Sequence, residues 1–286
     1  MLFTKLQSVG NDFVLIDTAD LTYDWQVLSK AMCDRKFGVG ADGLLLLVPS
    51  LKADFGMRMY NPDGTESEAC GNGLRCLIKY CADVKLPGAD VYKLTIDTIA
   101  GLRKATFVRK DGKAEKIQAT MGYPEFNKEK IPVSIDSYKG RLVDLRLTAE
   151  YPLNIDNIDL LLNFVSMGNP HAVYFQDKPV IEFPLAQVGP EVEKHMLFPK
   201  RINFEVARVV NRKQIDARVW ERGAGETLGC GTGACAVAVA AILLGYTDNT
   251  VDIVLPGGVL QVGWDGAGEV LLSGIAQIVF SGDWEK

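Results

Sequence analysis

The chain of 286 residues is 48% apolar and 23% charged, the composition of a globular protein rather than a disordered or fibrous one. At roughly 150 residues per domain, this length suggests about two domains. A net charge of −5 and a pI near 5.2 give no general attraction to nucleic acid or anionic lipid. The N-terminus has no apolar run of signal-peptide length, and the longest apolar stretch, 234–245, is too short to span a bilayer. The expectation is a cytoplasmic protein with neither nucleic acid nor a membrane as partner.

Strand patterns come first along the chain. Residues 53–60 place Phe55, Met57 and Met59 in a period of two. Residues 91–108 read as two short strands around Ala100-Gly101, followed by a hairpin turn at Lys110-Asp111-Gly112. Further strands are expected at 204–210, 215–220, 251–255, 258–264 and 270–280. Helices are expected at 25–35, around 191–195, and at 73–84 and 233–244. The last of these is apolar on nearly all sides, which means a helix buried all round. Many strands with one buried helix per half suggest an α/β (α+β) fold of sheets wrapped around central helices.

Six cysteines, at 33, 70, 76, 81, 230 and 235, and only two histidines, His171 and His195, provide no zinc-knuckle spacing, so no metal is expected. A large chain without a signal peptide is a poor candidate for a disulfide framework. Cys33, Cys76, Cys81 and Cys235 read as structural.

The halves align on two cysteines. Glu66 stands four residues before Cys70, and Gly71 and Gly73 follow it. Glu226 stands four residues before Cys230, and Gly231 and Gly233 follow. The copies lie 160 residues apart, so this is a duplicated domain rather than a solenoid. The boundary is expected near Gly122-Tyr-Pro124, giving domains 1–122 and 123–275, with the last strand, about 276–286, returning to the first.

A cysteine just before a helix faces unsatisfied amides and the positive end of the helix dipole, which favour a thiolate and lower its pKa. The following glycines let amides approach a carboxylate. Two such units, facing each other across an interdomain cleft, would be the machinery of racemisation: one thiolate removes a proton from Cα and the opposite thiol returns one to the other face. A redox pair is the rival reading, but Cys-x-x-Cys is absent.

The residues then resemble a known family. Gly10-Asn11-Asp12-Phe13, the run from Asp34 to Asp42, Asn61-Pro-Asp63-Gly64 and Cys70-Gly-Asn-Gly-Leu-Arg-Cys76 stand in the first half. Met167-Gly-Asn169-Pro-His171, Arg201-Ile-Asn203, the run from Glu221 to Thr227, Cys230-Gly-Thr-Gly233 and Leu255-Pro-Gly-Gly258 stand in the second. In this order they are similar to the diaminopimelate epimerases, from a group that includes proline racemase. The resemblance implies interconversion of LL- and meso-diaminopimelate in lysine and cell-wall precursor synthesis, without pyridoxal phosphate, metal or other cofactor. It implies two similar domains, each a curled, mostly antiparallel sheet around a central helix, and a homodimer. It makes Cys70 the proton donor and Cys230 the acceptor in one direction, with His171 and Glu221 adjusting cysteine pKa values. Substrate contacts are implied for Asn11, Asn61, Asn169, Asn203, Glu221 and Arg222, and for Gly71, Asn72, Gly231 and Thr232 around the reacting carboxylate. Amide side chains can donate to a carboxylate and accept from an ammonium, and a guanidinium suits a distal carboxylate.

Three positions depart from the family pattern. Gly43 replaces a glutamine, Ser8-Val9 replaces glycine and leucine, and Phe280 replaces a tyrosine at the dimer contact. Other readings of the same residues are a two-thiol racemase of proline, hydroxyproline or histidine, and a non-catalytic amino-acid binder. Arg222 favours a substrate with a second carboxylate, and retention of both cysteines favours an enzyme.

Overall fold

The computed structural model describes residues 1–67, 70–88, 92–134, 140–143 and 147–285. Glu68 and Ala69 of the paired motif, and Val91 at the start of an expected strand, lie outside them. The chain divides into two compact units, Met1–Thr120 with Ser273–Lys286, and Met121–Leu272.

The first unit begins with β1 (Leu2–Ser8), β2 (Asn11–Asp17), α1 (Trp25–Cys33), β3 (Gly43–Val48) and β4 (Phe55–Tyr60). It continues with α2 (Gly71–Tyr80), β5 (Lys93–Thr98), β6 (Gly101–Lys110) and β7 (Lys113–Thr120). The β1–β2, β3–β4, β5–β6 and β6–β7 pairs are antiparallel. The β2–β3 and β4–β5 pairs are parallel, because each is joined by a helical crossover rather than a hairpin. The sheet curls around α2, which packs against β1, β2, β3, β4 and β7. Leu74, Leu77 and Ile78 of α2 join Phe13, Leu15, Leu45 and Leu47 in its core. On the other face of the sheet, Asp24 caps α1 by accepting from the Val27 amide at 3.1 Å. The α1 side chains Trp25, Leu28 and Met32 cover Leu44 and Leu46.

The second unit contains β8 (Arg141–Val143), β9 (Leu147–Ala149), β10 (Tyr151–Ile155), β11 (Ile158–Ser166) and β12 (Pro170–Phe175). There follow α3 (Leu185–Glu193), β13 (Asn203–Asn211), β14 (Gln214–Glu221), β15 (Gly225–Thr227), α4 (Gly231–Leu243), β16 (Thr250–Leu255) and β17 (Gly258–Gly263). The plan repeats: β12–β13 is parallel across α3 and β14–β16 is parallel across α4, while β10–β11, β11–β12, β13–β14 and β16–β17 are antiparallel. α4 packs against β11, β12, β13, β14, β16 and β17. Every residue of α4 from Gly231 to Ala241 is buried, as its unbroken apolar sequence requires. β18 (Leu271–Gly274) then leads to β19 (Gln277–Asp283), which pairs antiparallel with β1 and also contacts α2.

Three expectations shift. The helix expected around 191–195 runs from Leu185 to Glu193 and ends before His195, because Leu185, Val188 and Val192 form its buried stripe. The strand expected at 270–280 is two strands, broken at Ile275 and Ala276; the Ile275 carbonyl accepts from Ser8 Oγ at 2.7 Å. The helix expected at 73–84 gives way after Tyr80 to a π turn over Cys81–Lys85, closed by the Leu86 amide on the Cys81 carbonyl.

Candidate active site

Each paired cysteine is the N-cap of its unit's central helix. Cys70 has an extended backbone (φ −146°, ψ 107°), and its Sγ accepts from the Gly73 amide at 3.3 Å. Cys230 is likewise extended (φ −115°, ψ 118°), and its Sγ lies 3.4 Å from Thr232 Oγ1. In both, the cap carbonyl accepts the first intrahelical hydrogen bond, from Leu74 or Ala234. The next amides, of Gly71-Asn72 and Gly231-Thr232, lie in the first helical turn, where no intrahelical acceptor exists for them. Neighbouring side chains approach Gly73 and Gly233 closely. A Cβ on Gly73 would lie 3.0 Å from Leu45 Cδ2, and one on Gly233 would lie 2.8 Å from Glu205 Oε1.

In the first unit the Cys70 cap is joined to Asn11. Asn72 Nδ2 donates to Asn11 Oδ1 at 3.2 Å, and Asn11 Nδ2 donates to Asp42 Oδ2 at 2.8 Å. Arg75, wholly buried, donates to Asn72 Oδ1 and to Ser8 Oγ. Asp42 also accepts from Arg35, which forks onto Asp12. Burial raises the Asp12 pKa, but hydrogen bonds from Arg35 and Lys5 outweigh that and hold it at about 2. Asn61 follows β4, and its Nδ2 donates to Thr65 Oγ1 at 2.9 Å. Gly43 pairs with Phe13 on the neighbouring strand.

In the second unit, Glu221 ends β14 and accepts from Thr227 Oγ1 at 2.6 Å. Burial pushes its carboxyl pKa up, offset in part by Thr227, Cys230 and the His171 ring. Burial also pushes the Cys230 thiol well above its ordinary value, and the negative charge of Glu221 adds to this. A helix N-terminus by itself favours a thiolate; at Cys230 burial beside Glu221 acts in the opposite direction. The fully buried His171 places Nδ1 2.6 Å from Glu205 Oε1 and Nε2 2.9 Å from Asn169 Oδ1. Asn203 donates to the Pro170 carbonyl at 2.8 Å and accepts from the Arg222 amide at 2.9 Å. The Arg222 side chain is exposed and donates to the Lys200 carbonyl at 3.2 Å.

The residue-level reading of the sequence gave no role to Asp42, Arg75, Thr227 or Glu205. The repeat held signals for part of this. Gly10-Asn11 and Gly168-Asn169 are matched turns, with glycine φ of 80° and 91°. The matched glutamates also have a structural partner: Glu66 binds Arg58 at 2.6 Å and Glu226 binds Arg218 at 2.8 Å, at equal sequence spacing. Among the described residues no group of three or more His, Cys, Asp or Glu side chains is placed to hold a metal ion, and no helix is long and apolar enough to cross a membrane.

Comparison with known proteins adds to this geometry. The fold resembles the crystal structure of a probable proline racemase from Agrobacterium radiobacter, with TM-score 0.71 at 14% identity over 99% of this chain and 92% of that one. It also resembles a phenazine biosynthesis protein of the PhzF family from Bacillus anthracis, with TM-score 0.66 at 16% identity over 99% and 98% of the two chains. These likenesses establish the fold. Sequence relatives are much nearer: diaminopimelate epimerase from Desulfovibrio desulfuricans is 44% identical over 99% of this chain and 97% of its own. That from Acetivibrio thermocellus is 42% identical over 99% and 98%. The family model described as diaminopimelate epimerase matches residues 3–127 and 163–279. With the paired cysteine caps in place, the chain belongs to the diaminopimelate epimerase family.

Proposed function

We propose that Cys70 and Cys230 are the two acid/base groups acting on one Cα of diaminopimelate, in an isomerase that interconverts the LL and meso forms without a cofactor. The observation that carries this reading is the duplicated cap: each thiol sits at the first turn of a central helix, beside amides that suit a carboxylate. Cys230 rests as a thiol, since burial and Glu221 both disfavour its thiolate. In the direction where Cys230 delivers a proton, Cys70 is the base. In the other, the Cys230 proton must leave first, and the Glu221 carboxylate is a nearby group able to take it. The amides of Gly71-Asn72 and Gly231-Thr232 would meet the reacting carboxylate, where negative charge accumulates as Cα loses its proton. The side chains of Asn11, Asn61, Asn169, Asn203 and Glu221 would orient the zwitterion, and the exposed Arg222 guanidinium would take the distal carboxylate, which favours this substrate over one with a single carboxylate.

Substituting either base tests the assignment. Cys70→Ala and Cys230→Ala should each lower turnover by about 10²–10⁴-fold while retaining substrate binding by calorimetry. Full activity in either variant excludes the two-base scheme. A cytoplasmic enzyme agrees with its small-molecule substrate. We also take the enzyme to be a homodimer, with the exposed Val279 and Phe280 of β19 at the contact.

A further inference from the structure

The second unit carries a buried His–Glu pair where the first is apolar. His171 on β12 and Phe13 on β2 hold the same place: each pairs across a parallel register with the first residue of the matched stretch, Asn203 or Gly43. Two residues further on, Glu205 and Leu45 are the side chains that crowd Gly233 and Gly73 of the central helices. The first unit therefore fills these positions with Phe13 and Leu45, both fully buried. The second fills them with His171 at 0% and Glu205 at 1% exposure. Apolar side chains of similar volume would serve stability as well or better than a buried polar pair, so packing does not explain the exchange.

The hydrogen bonds do. Glu205 Oε1 is 2.6 Å from His171 Nδ1, and His171 Nε2 is 2.9 Å from Asn169 Oδ1. An acceptor oxygen thus lies beside each ring nitrogen, and a ring nitrogen that carries hydrogen can donate to it. Glu205 Oε2 is buried and meets no hydrogen-bond partner among the described residues, so the carboxylate's contact is with the ring. Among the described residues, Glu221 of β14 and Cys230 at the α4 cap also face this pair. We propose that Glu205 is a positioning residue: through the His171 ring it holds the Asn169 carboxamide by its oxygen and leaves the amide nitrogen to meet a carboxylate of the substrate. This rests on the reading of Asn169 as a substrate contact.

Glu205→Gln replaces the anion with a neutral amide. The Gln oxygen accepts from Nδ1–H of a neutral ring, Nε2 becomes an acceptor, and the Asn169 amide turns to donate to it. The Asn169 oxygen then faces the substrate carboxylate.

With only two histidines in the chain, ¹⁵N NMR of histidine-labelled protein reads this directly, His195 being identified by a His195→Gln variant. At pH 7 the account expects both His171 nitrogens protonated in the unsubstituted enzyme and one bare nitrogen in Glu205→Gln. Glu205→Gln should raise KM about 10–100-fold, as for a lost charge-assisted contact, with a smaller change in kcat. The double variant His171→Phe with Glu205→Leu copies the first unit. It should fold with a cooperative melt yet show the same loss of affinity. A bare Nε2 in the unsubstituted enzyme, or a Glu205→Gln variant with unchanged KM, overturns the proposal. If the unsubstituted enzyme epimerises no diaminopimelate, the substrate reading fails instead, and the histidine spectrum still decides whether Glu205 sets the ring's protons.

Discussion

Asp12 sits under opposing influences, and their balance has a measurable consequence. Burial raises its pKa, while Arg35 and Lys5 lower it further, to about 2 from an ordinary 3.8. A carboxyl depressed by folding stabilises the protein above its unfolded pKa and loses that contribution as pH falls through the folded value. Asp12→Asn should therefore cost about 1–2 kcal/mol at pH 7, discounted for partial exposure. In denaturant titrations the gap from the unsubstituted protein should close as pH falls from 3.8 toward 2; a gap independent of pH would contradict the ion-pair account. Asp12 and Asp42 stood in the quoted motifs, but their role in holding Asn11 depends on residues from β1, β2 and the segment after α1, which local sequence does not bring together. The thiol of Cys230 is a similar case. Its place as a helix cap was legible from Cys-Gly-x-Gly, whereas its raised pKa comes from burial and from Glu221 on another strand.

At the scale of elements, the two central helices were legible because each is an apolar run opening on a glycine pair. The helices begin at Gly71 and Gly231, directly after the capping thiols and two residues before the apolar runs suggest. The β3 segment Gly43–Val48 was not legible. It is apolar throughout and buried on both faces, so it lacks the alternation that marks a half-exposed strand. The helix starts also differ in tolerance. Ala at position 73 would press on the end of the flexible Leu45 side chain, but at 233 it would press on Glu205 Oε1, which is anchored to His171. Gly233→Ala should lower stability by about 1–3 kcal/mol and Gly73→Ala by less, measured as the shift in chemical denaturation midpoint. Equal shifts would show that the Glu205 carboxylate moves as freely as the leucine.

For the whole molecule, the duplication organises both fold and chemistry. Two units repeat the same strand–helix–strand plan, with parallel pairs at matching places and an Arg–Glu pair in each. The repeat was legible around the cysteines because their motif is short and contiguous. The matching of Phe13 with His171 and of Leu45 with Glu205 was not, because unlike residues occupy equivalent places and only register reveals them. Assembly gives a further prediction. Phe280 is half-exposed and stacks edge-on against Phe3 at 6.0 Å. If the proposed homodimer forms through β19, Phe280→Glu should shift light-scattering mass from dimer to monomer without loss of fold by circular dichroism. A monomeric unsubstituted protein would refute the dimer.

In the proposed reaction two thiols exchange the proton at one Cα. Its most direct test is proton NMR of the reduced protein in D2O with meso-diaminopimelate. Loss of Cα–H signal is expected together with appearance of the LL isomer, its inverted carbon carrying deuterium. Fully reduced, folded protein that gives neither exchange nor LL isomer would contradict it.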